Sequence, residues 1–273
     1  MYRLGFLGLV SLILLAGVII ASPQSASAMS IAIINGASGT SEADTTAAIT
    51  SNLNSLVVAA GHTTTVLDGV PGILAGYGQV WDIRFDNNLS LTAAVQAQYL
   101  SYLQGGGGMF VMGENSSFMT RNNSVLSLVT ATGGGSLSFI TPASTQTVVS
   151  PFTGPNVIAD GNVTYSAPGG VTSAGTGQYI TVDGSGYGTG VAFGVGDMSN
   201  ASLGALTMIF DVNFMQATFD QPDSQDLLKN LITFVEEEVD DDDDVIPEPM
   251  TMLAVFTGVC GLGGYIRKRR TTA

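Results

Sequence analysis

Five carboxylates that lie at or just beyond predicted strands are the residues of this sequence best placed to do chemistry together. They are Asp68, Asp82, Asp86, Glu114 and Asp211. In an open parallel sheet the carboxyl ends of the strands share one edge, where ligands bind. Carboxylates that converge there could hold a hard cation such as calcium, or act as an acid–base pair on a glycan. The alternative interpretation is that they form turns and cap helices, as aspartate does through local hydrogen bonds.

Two other catalytic constellations are excluded by the residues themselves. Cys260, the single cysteine, lies in an apolar C-terminal stretch, and His62 is the single histidine. Cysteine–histidine catalysis in the central domain therefore has no nucleophile, and a zinc site built on several histidines has no ligands. The glycine run at 105–108 precedes a predicted strand and matches no phosphate-loop pattern, so it predicts a turn. Apart from calcium we expect no cofactor, and the residues favour a domain that is not an enzyme.

The net charge of the central domain limits the kinds of partner that it can bind. Residues 29–246 carry three basic side chains, Arg84, Arg121 and Lys229, against twenty-one carboxylates, a net charge of −18. Such a surface repels nucleic acids and anionic lipid headgroups, so nucleic-acid binding is not expected.

Alternating strand and helix patterns in residues 29–235 predict the elements that position these groups. Strands are expected at 31–34, 63–67, 79–85, 109–112 and 206–210, and helices from Ser41 to Gly61, from about Leu91, and from Ser224. This order predicts an α/β domain with a parallel, doubly wound sheet and helices on both faces.

Two segments of biased composition interrupt or follow this pattern. The glycine-, serine- and threonine-rich segment at about 133–204 predicts a β-rich insertion, either hairpins on the sheet edge or a small subdomain. Its short strands are expected at 146–149, 162–165, 178–182 and 191–195. The acidic run at 236–246 predicts an extended linker, because like charges repel.

The N-terminus has the layout of a secretory signal peptide. A short basic start is followed by an apolar stretch at 4–20 and by the small residues Ala26, Ser27 and Ala28. This predicts that signal peptidase cleaves after Ala28, following export through the secretion translocon, and leaves Met29 as the mature start. An uncleaved membrane anchor is the alternative.

The C-terminus combines three features in a fixed order. Pro247, Glu248 and Pro249 precede an apolar segment at 250–266, and Arg267, Lys268, Arg269 and Arg270 follow it. The basic residues are expected to stay cytoplasmic, and two prolines keep the triplet out of a helix. This order resembles the PEP-CTERM sorting signal, over residues 247–270. The resemblance implies that a transmembrane segment at 250–266 holds the chain at the inner membrane until exosortase processes it, after which it reaches the cell surface or extracellular matrix. A plain C-terminal anchor is the alternative.

The central domain resembles the class I glutamine-amidotransferase-like, flavodoxin-like fold of trehalose-utilisation-type (ThuA-like) proteins. The resemblance rests on the helix, glycine turn and strand at 103–113, the late strand at 206–213 and the helix at 226–232. Catalytic members carry a cysteine on the turn that reads Gly113-Glu114-Asn115 in this sequence. The two resemblances together imply an exported, non-catalytic domain associated with exopolysaccharide. The alternatives are an extracellular carboxylate-based glycan hydrolase or lyase, and an envelope partner-binding module.

Overall fold

The computed structural model describes residues 28–36, 43–216 and 223–240. Its helices are α1 (Ala43–Ala59), α2 (Ala93–Gln104), α3 (Met119–Thr132) and α4 (Asp223–Asp240). Its strands are β1 (Ser30–Ile34), β2 (Thr63–Leu67), β3 (Gln79–Asp82), β4 (Gly108–Met112), β5 (Phe139–Ile140), β6 (Thr145–Val148), β7 (Asn162–Thr164), β8 (Gly170–Val171), β9 (Gln178–Val182), β10 (Gly190–Phe193) and β11 (Ala205–Ile209).

Nine of these strands form one mixed sheet in the order β2-β1-β3-β4-β11-β10-β9-β6-β7. The first five strands run parallel to one another, and the strands from β10 to β7 pair antiparallel. The predicted α/β class with a largely parallel sheet is therefore confirmed. The inserted segment supplies β6, β7, β9 and β10, which extend the sheet beyond β11, while β5 and β8 form a separate small pair.

Helices cover both faces of the parallel part of the sheet. On one face α1 and α4 pack on Ile31, Ile33 and Trp81, and Trp81 stacks on Phe110 with ring centroids 4.6 Å apart. On the other face α2 and α3 pack on alternate residues of the same strands, such as Val80. Because successive side chains of a strand point to opposite faces, each buried parallel strand contributes to both cores.

Local signals fix the ends of the helices. The Oγ1 atom of Thr92 accepts a hydrogen bond from the backbone N–H of Val95 at the start of α2, an N-cap of the usual kind. Helix α3 ends at Thr132 and is capped by Gly133, whose φ of 84° is left-handed. The sequence did not predict α3, because its first turns are polar and its buried face includes Arg121 and Asn122.

Two predicted boundaries differ from the structure. Strand β3 ends at Asp82 rather than Phe85. Helix α4 continues to Asp240, so the first residues of the predicted extended linker are helical. The helix continues because its end packs on the domain: a Cβ on Gly108 would lie 3.2 Å from Val239, and the Glu238 carboxylate accepts a 2.6 Å hydrogen bond from Val195 N–H.

The termini lie outside the described residues. The predicted signal peptide up to residue 27, the rest of the acidic linker, the PEP triplet, the segment at 250–266 and the basic cluster at 267–270 all fall there. Within the described ranges, no helix combines the length and apolar character needed to cross a membrane.

Candidate functional site

The order of the parallel strands defines where a site is expected. The chain passes from β1 to β2 on one side of β1 and then returns to β3 on its other side. With β4 and β11 this is the 2-1-3-4-5 order of flavodoxin-like sheets, in which ligands bind at the carboxyl ends of the strands next to the switch. Asp82 and Arg84 lie at this position, beside Gly36 at the end of β1.

Asp82 is the centre of a buried ion cluster rather than an open ligand. Its Oδ1 atom accepts from Arg84 Nε at 2.7 Å, and its Oδ2 atom accepts from Arg84 Nη2 at 2.7 Å and from the Tyr99 hydroxyl at 2.9 Å. Arg121 approaches the same Oδ2 atom at 3.3 Å through its Nη2 atom. The Asp82 carboxylate is thus held by two guanidinium groups.

Burial and neighbouring charges shift the pKa values of Asp82 and Tyr99 within this cluster. Burial alone would raise the pKa of Asp82, but the charges of Arg121 and Arg84 and the hydrogen bonds from Arg84 and Tyr99 outweigh it and lower the pKa to about 2. Burial and the neighbouring Asp82 carboxylate raise the pKa of Tyr99 well above its ordinary value. Asp82 is therefore ionised and Tyr99 protonated at neutral pH.

Arg121 connects this cluster to two neighbouring segments. Its side chain is fully buried, and it donates to the carbonyl of Met112 at 3.0 Å and to the carbonyl of Leu89 at 2.9 Å. One guanidinium thus joins helix α3, the end of β4 and the turn before α2. These bonds give Arg121 a structural task that accounts for its burial.

Glu114 is also engaged internally. Its Oε1 atom accepts from the N–H of Asn115 at 3.0 Å, and its Oε2 atom accepts from the N–H of Val212 at 2.5 Å. The Asn122 side chain brackets the same residue, since it accepts from Glu114 N–H at 2.8 Å and donates to the Glu114 carbonyl at 2.7 Å. Glu114 is 1 % exposed and ties the end of β4 to the end of β11.

The chain's own segment 166–170 covers the edge beside Glu114. Gly169 N–H donates to the Phe210 carbonyl at 2.7 Å, and Ala167 N–H donates to Asp211 Oδ2 at 3.0 Å. A Cβ on Gly169 would lie 2.4 Å from the Glu114 carbonyl oxygen, so the two backbones touch. Asp211, whose pKa burial raises, is fully buried beneath this segment.

The other two predicted carboxylates lie apart from this closed edge. Asp86 caps the short turn Asn87–Leu89, because its Oδ1 atom accepts from Asn88 N–H at 2.8 Å. Asp68 is exposed just after β2. Within the part of the chain that the structure describes, no three histidine, cysteine or acidic side chains group as metal ligands. The calcium alternative is left to experiment.

The sequence identified the carboxylates but not their partners. Arg84, Tyr99 and Arg121 complete the cluster, and the sequence patterns predicted none of them there. The contact of Arg84 with Asp82 could have been predicted, since Arg84 follows Asp82 by two residues and so lies on the same side of the strand's extension. Arg121 had none, because it comes from α3, a helix that the sequence did not predict.

Comparisons with known proteins found similar structures but no matching sequence family. No known family model matches the sequence, and no curated protein does. The structure is similar to the mmIFT52 N-terminal domain, with a TM-score of 0.52, 14% identity, and coverage of 76% of this chain and 96% of that one. This similarity shows a shared fold.

Two further structures are more distant. They are the β-galactosidase from Rahnella sp. R3 (TM-score 0.46, 12% identity, 78% of this chain and 31% of that one) and a ThuA-like protein from Bacteroides uniformis (TM-score 0.44, 14% identity, 76% and 89%). The sheet topology alone defines the class, a mostly parallel α/β domain with flavodoxin-like strand order.

Proposed function

We propose that this chain is an exported cell-surface or extracellular-matrix protein whose α/β domain binds exopolysaccharide without catalysing a reaction on it. The signal-peptide layout and the resemblance to the PEP-CTERM signal support export, cleavage after Ala28 and processing by exosortase. The ThuA-like, amidotransferase-like resemblance supports a domain descended from an enzyme fold. The strongly acidic composition argues against nucleic acid as the ligand.

The engagement of the edge carboxylates by partners within the domain is the observation that carries the non-catalytic part of the proposal. Enzymes with this strand order place reactive groups at that edge. In this chain segment 166–170 lies against Glu114 and Asp211, and internal donors bind both carboxylates. Catalysis on a polymer needs groups that the polymer can touch.

A carboxylate-based glycan hydrolase or lyase is the rival function. It would need an acid and a base that flank a bound glycan. The fully buried Asp211 and the almost fully buried Glu114 do not meet this requirement in the described fold. The rival therefore predicts that segment 166–170 opens.

Titration of the full chain with exopolysaccharide from the producing cells distinguishes these functions. We expect heat of binding with no new reducing or unsaturated ends. Turnover that is lost in Glu114→Gln and Asp211→Asn would establish the rival, and the absence of any binding would refute the matrix-glycan proposal. Glu237→Gln is the control, because Glu237 is exposed on α4 and is not one of the edge carboxylates.

The sorting part of the proposal has its own test. Replacing Pro247, Glu248 and Pro249 by alanine should leave the chain in the inner-membrane fraction, whereas the unaltered chain should lose residues after the triplet. Mass spectrometry of the C-terminus reads the difference. An unaltered chain that keeps Arg267–Arg270 would show that the segment is a plain anchor.

A further inference from the structure

The backbone nitrogen of Met29 occupies a fixed position at the start of the sheet. Met29 precedes β1, and its carbonyl accepts from Thr63 N–H at 2.9 Å, next to the β1–β2 pairing. Its own N–H points to the side chain before β2 and donates to His62 Nδ1 at 3.3 Å. The first backbone nitrogen of the predicted mature chain therefore has a specific side-chain acceptor.

His62 in turn faces an acidic residue of α4. The imidazole Nε2 atom lies 3.5 Å from Glu236 Oε2, and both residues are buried, with 5 % and 8 % of their surfaces exposed. Because Nδ1 accepts the Met29 hydrogen bond, the neutral imidazole carries its proton on Nε2, where it faces the carboxylate. Met29, His62 and Glu236 thus form one polar chain from β1 to α4.

The basic side chains of the described residues form ion pairs elsewhere. Lys229, two turns before Glu236 in α4, pairs with Asp226 at 2.8 Å. Arg84 and Arg121 both pair with Asp82. A positive charge added at the Met29 nitrogen would therefore join the His62–Glu236 pair without displacing any of these ion pairs.

We propose that this chain of three groups is the receiving site for the new N-terminus that signal peptidase makes. Water hydrolyses the Ala28–Met29 amide, which leaves a carboxylate on Ala28 and an α-ammonium on Met29. An ammonium keeps the hydrogen bond to His62 Nδ1 and adds a positive charge on the side of the imidazole opposite Glu236. Cleavage thereby completes a partly buried polar triad, with the ammonium at one end and the Glu236 carboxylate at the other, that links the residue before β1 to α4. The inference rests on the proposed export and cleavage after Ala28.

Stability before and after cleavage tests the proposal. The full chain, purified in detergent, is treated with signal peptidase, and mass spectrometry confirms the new Met29 terminus. We expect cleavage to raise Tm by roughly 2 to 4 °C. The same treatment of Glu236→Gln should raise Tm clearly less, because the carboxylate beyond the imidazole is gone. Glu237→Gln is the matched control, since it removes one charge from the same helix but leaves Glu236 in place.

The outcomes distinguish a failure of processing from a failure of the receiving site. A failure to cleave after Ala28 refutes the processing itself. Cleavage after Ala28 with no rise in Tm, or with the same rise in Glu236→Gln, overturns the receiving site and leaves the export proposal intact. If Glu236→Gln does not fold, nitrogen NMR of the unaltered chain decides. His62 is the only histidine, and its two ring-nitrogen signals should change on cleavage; unchanged signals would overturn the proposal.

Discussion

Asp82 and Arg84 form a two-pronged ion pair inside the domain, with Nε and Nη2 of the arginine each 2.7 Å from a different carboxylate oxygen. One residue separates them in the sequence, so the segment that follows β3 supplies the counter-ion of the last residue of β3. Tyr99 from α2 and Arg121 from α3 then close the pair from the helical side. The cluster therefore couples the end of a central strand to both helices of one face.

Removing the Asp82 carboxylate should leave the guanidinium groups of Arg84 and Arg121 buried without a counter-ion. We expect Asp82→Asn to lower the free energy of unfolding by about 3 to 5 kcal/mol, because breaking a buried pair leaves buried charge behind. Urea denaturation at neutral pH measures the change. Glu237→Gln, at an exposed position on α4, should stay within about 0.5 kcal/mol of the unaltered protein. A similar loss in both variants would contradict a special role for Asp82.

The same residue predicts a pH dependence. The pKa of Asp82 is about 2 in the fold, below its ordinary value of 3.8, so its contribution to stability is complete above its ordinary pKa and is lost as the pH falls through the lowered one. The difference in unfolding free energy between the unaltered protein and Asp82→Asn should shrink over this interval. Denaturant melts from neutral pH down to strongly acidic pH provide the measurement. A difference that is constant across the interval would show that Asp82 does not titrate there.

The closed edge predicts an intolerance at one glycine. In Gly169→Ala the new methyl group would lie 2.4 Å from the Glu114 carbonyl oxygen, so backbone must move. We expect a loss of about 1 to 3 kcal/mol from this overpacking, measured by urea denaturation. Gly184→Ala is the control, because a Cβ there meets nothing within 4 Å and its φ is ordinary. That change should be neutral or stabilise by about 0.4 to 1 kcal/mol.

Calcium removal should leave the domain unchanged. Asp82, Glu114 and Asp211 already bind guanidinium or N–H donors within the domain, so a cation would have to displace these partners. We expect the same Tm in excess chelator and in millimolar calcium. Because a ligand that binds only the folded state raises Tm, a calcium-dependent rise would establish a cation site.

The sequence predicted the strands better than the contacts between them. Apolar runs such as Ile31–Ile34 identified the central strands, and the insertion's short strands lie close to their predicted positions. Contacts between residues distant in the sequence were not predicted. Asp82 was recognised at a strand end, but its partner Arg121 comes from a helix 39 positions later. The polar start of α3 has no strong hydrophobic periodicity, so local sequence patterns predicted neither this helix nor its buried arginine.

The carboxylates illustrate the same limit. The prediction that they lie at or just beyond strand ends holds for Asp68, Asp82, Glu114 and Asp211, whereas Asp86 caps a turn further along the chain. Whether Glu114 and Asp211 face a ligand or the protein interior depends on segment 166–170, whose position over the edge is set by Gly169 and by the Phe210 carbonyl. Composition identified that segment only as part of a glycine-rich insertion.

A cavity lies at the amino-terminal ends of β1, β3 and β4, opposite the carboxyl edge of the sheet. Its volume is about 600 Å³, and both Met29, just before β1, and Val239, near the end of α4, line it. The described fold therefore enters and leaves through the same small region. Domains with adjacent ends tolerate insertion and circular permutation. A short bridge from 240 to 29, with new ends opened at the exposed turn around Gly184, should give a permuted chain with the same sheet.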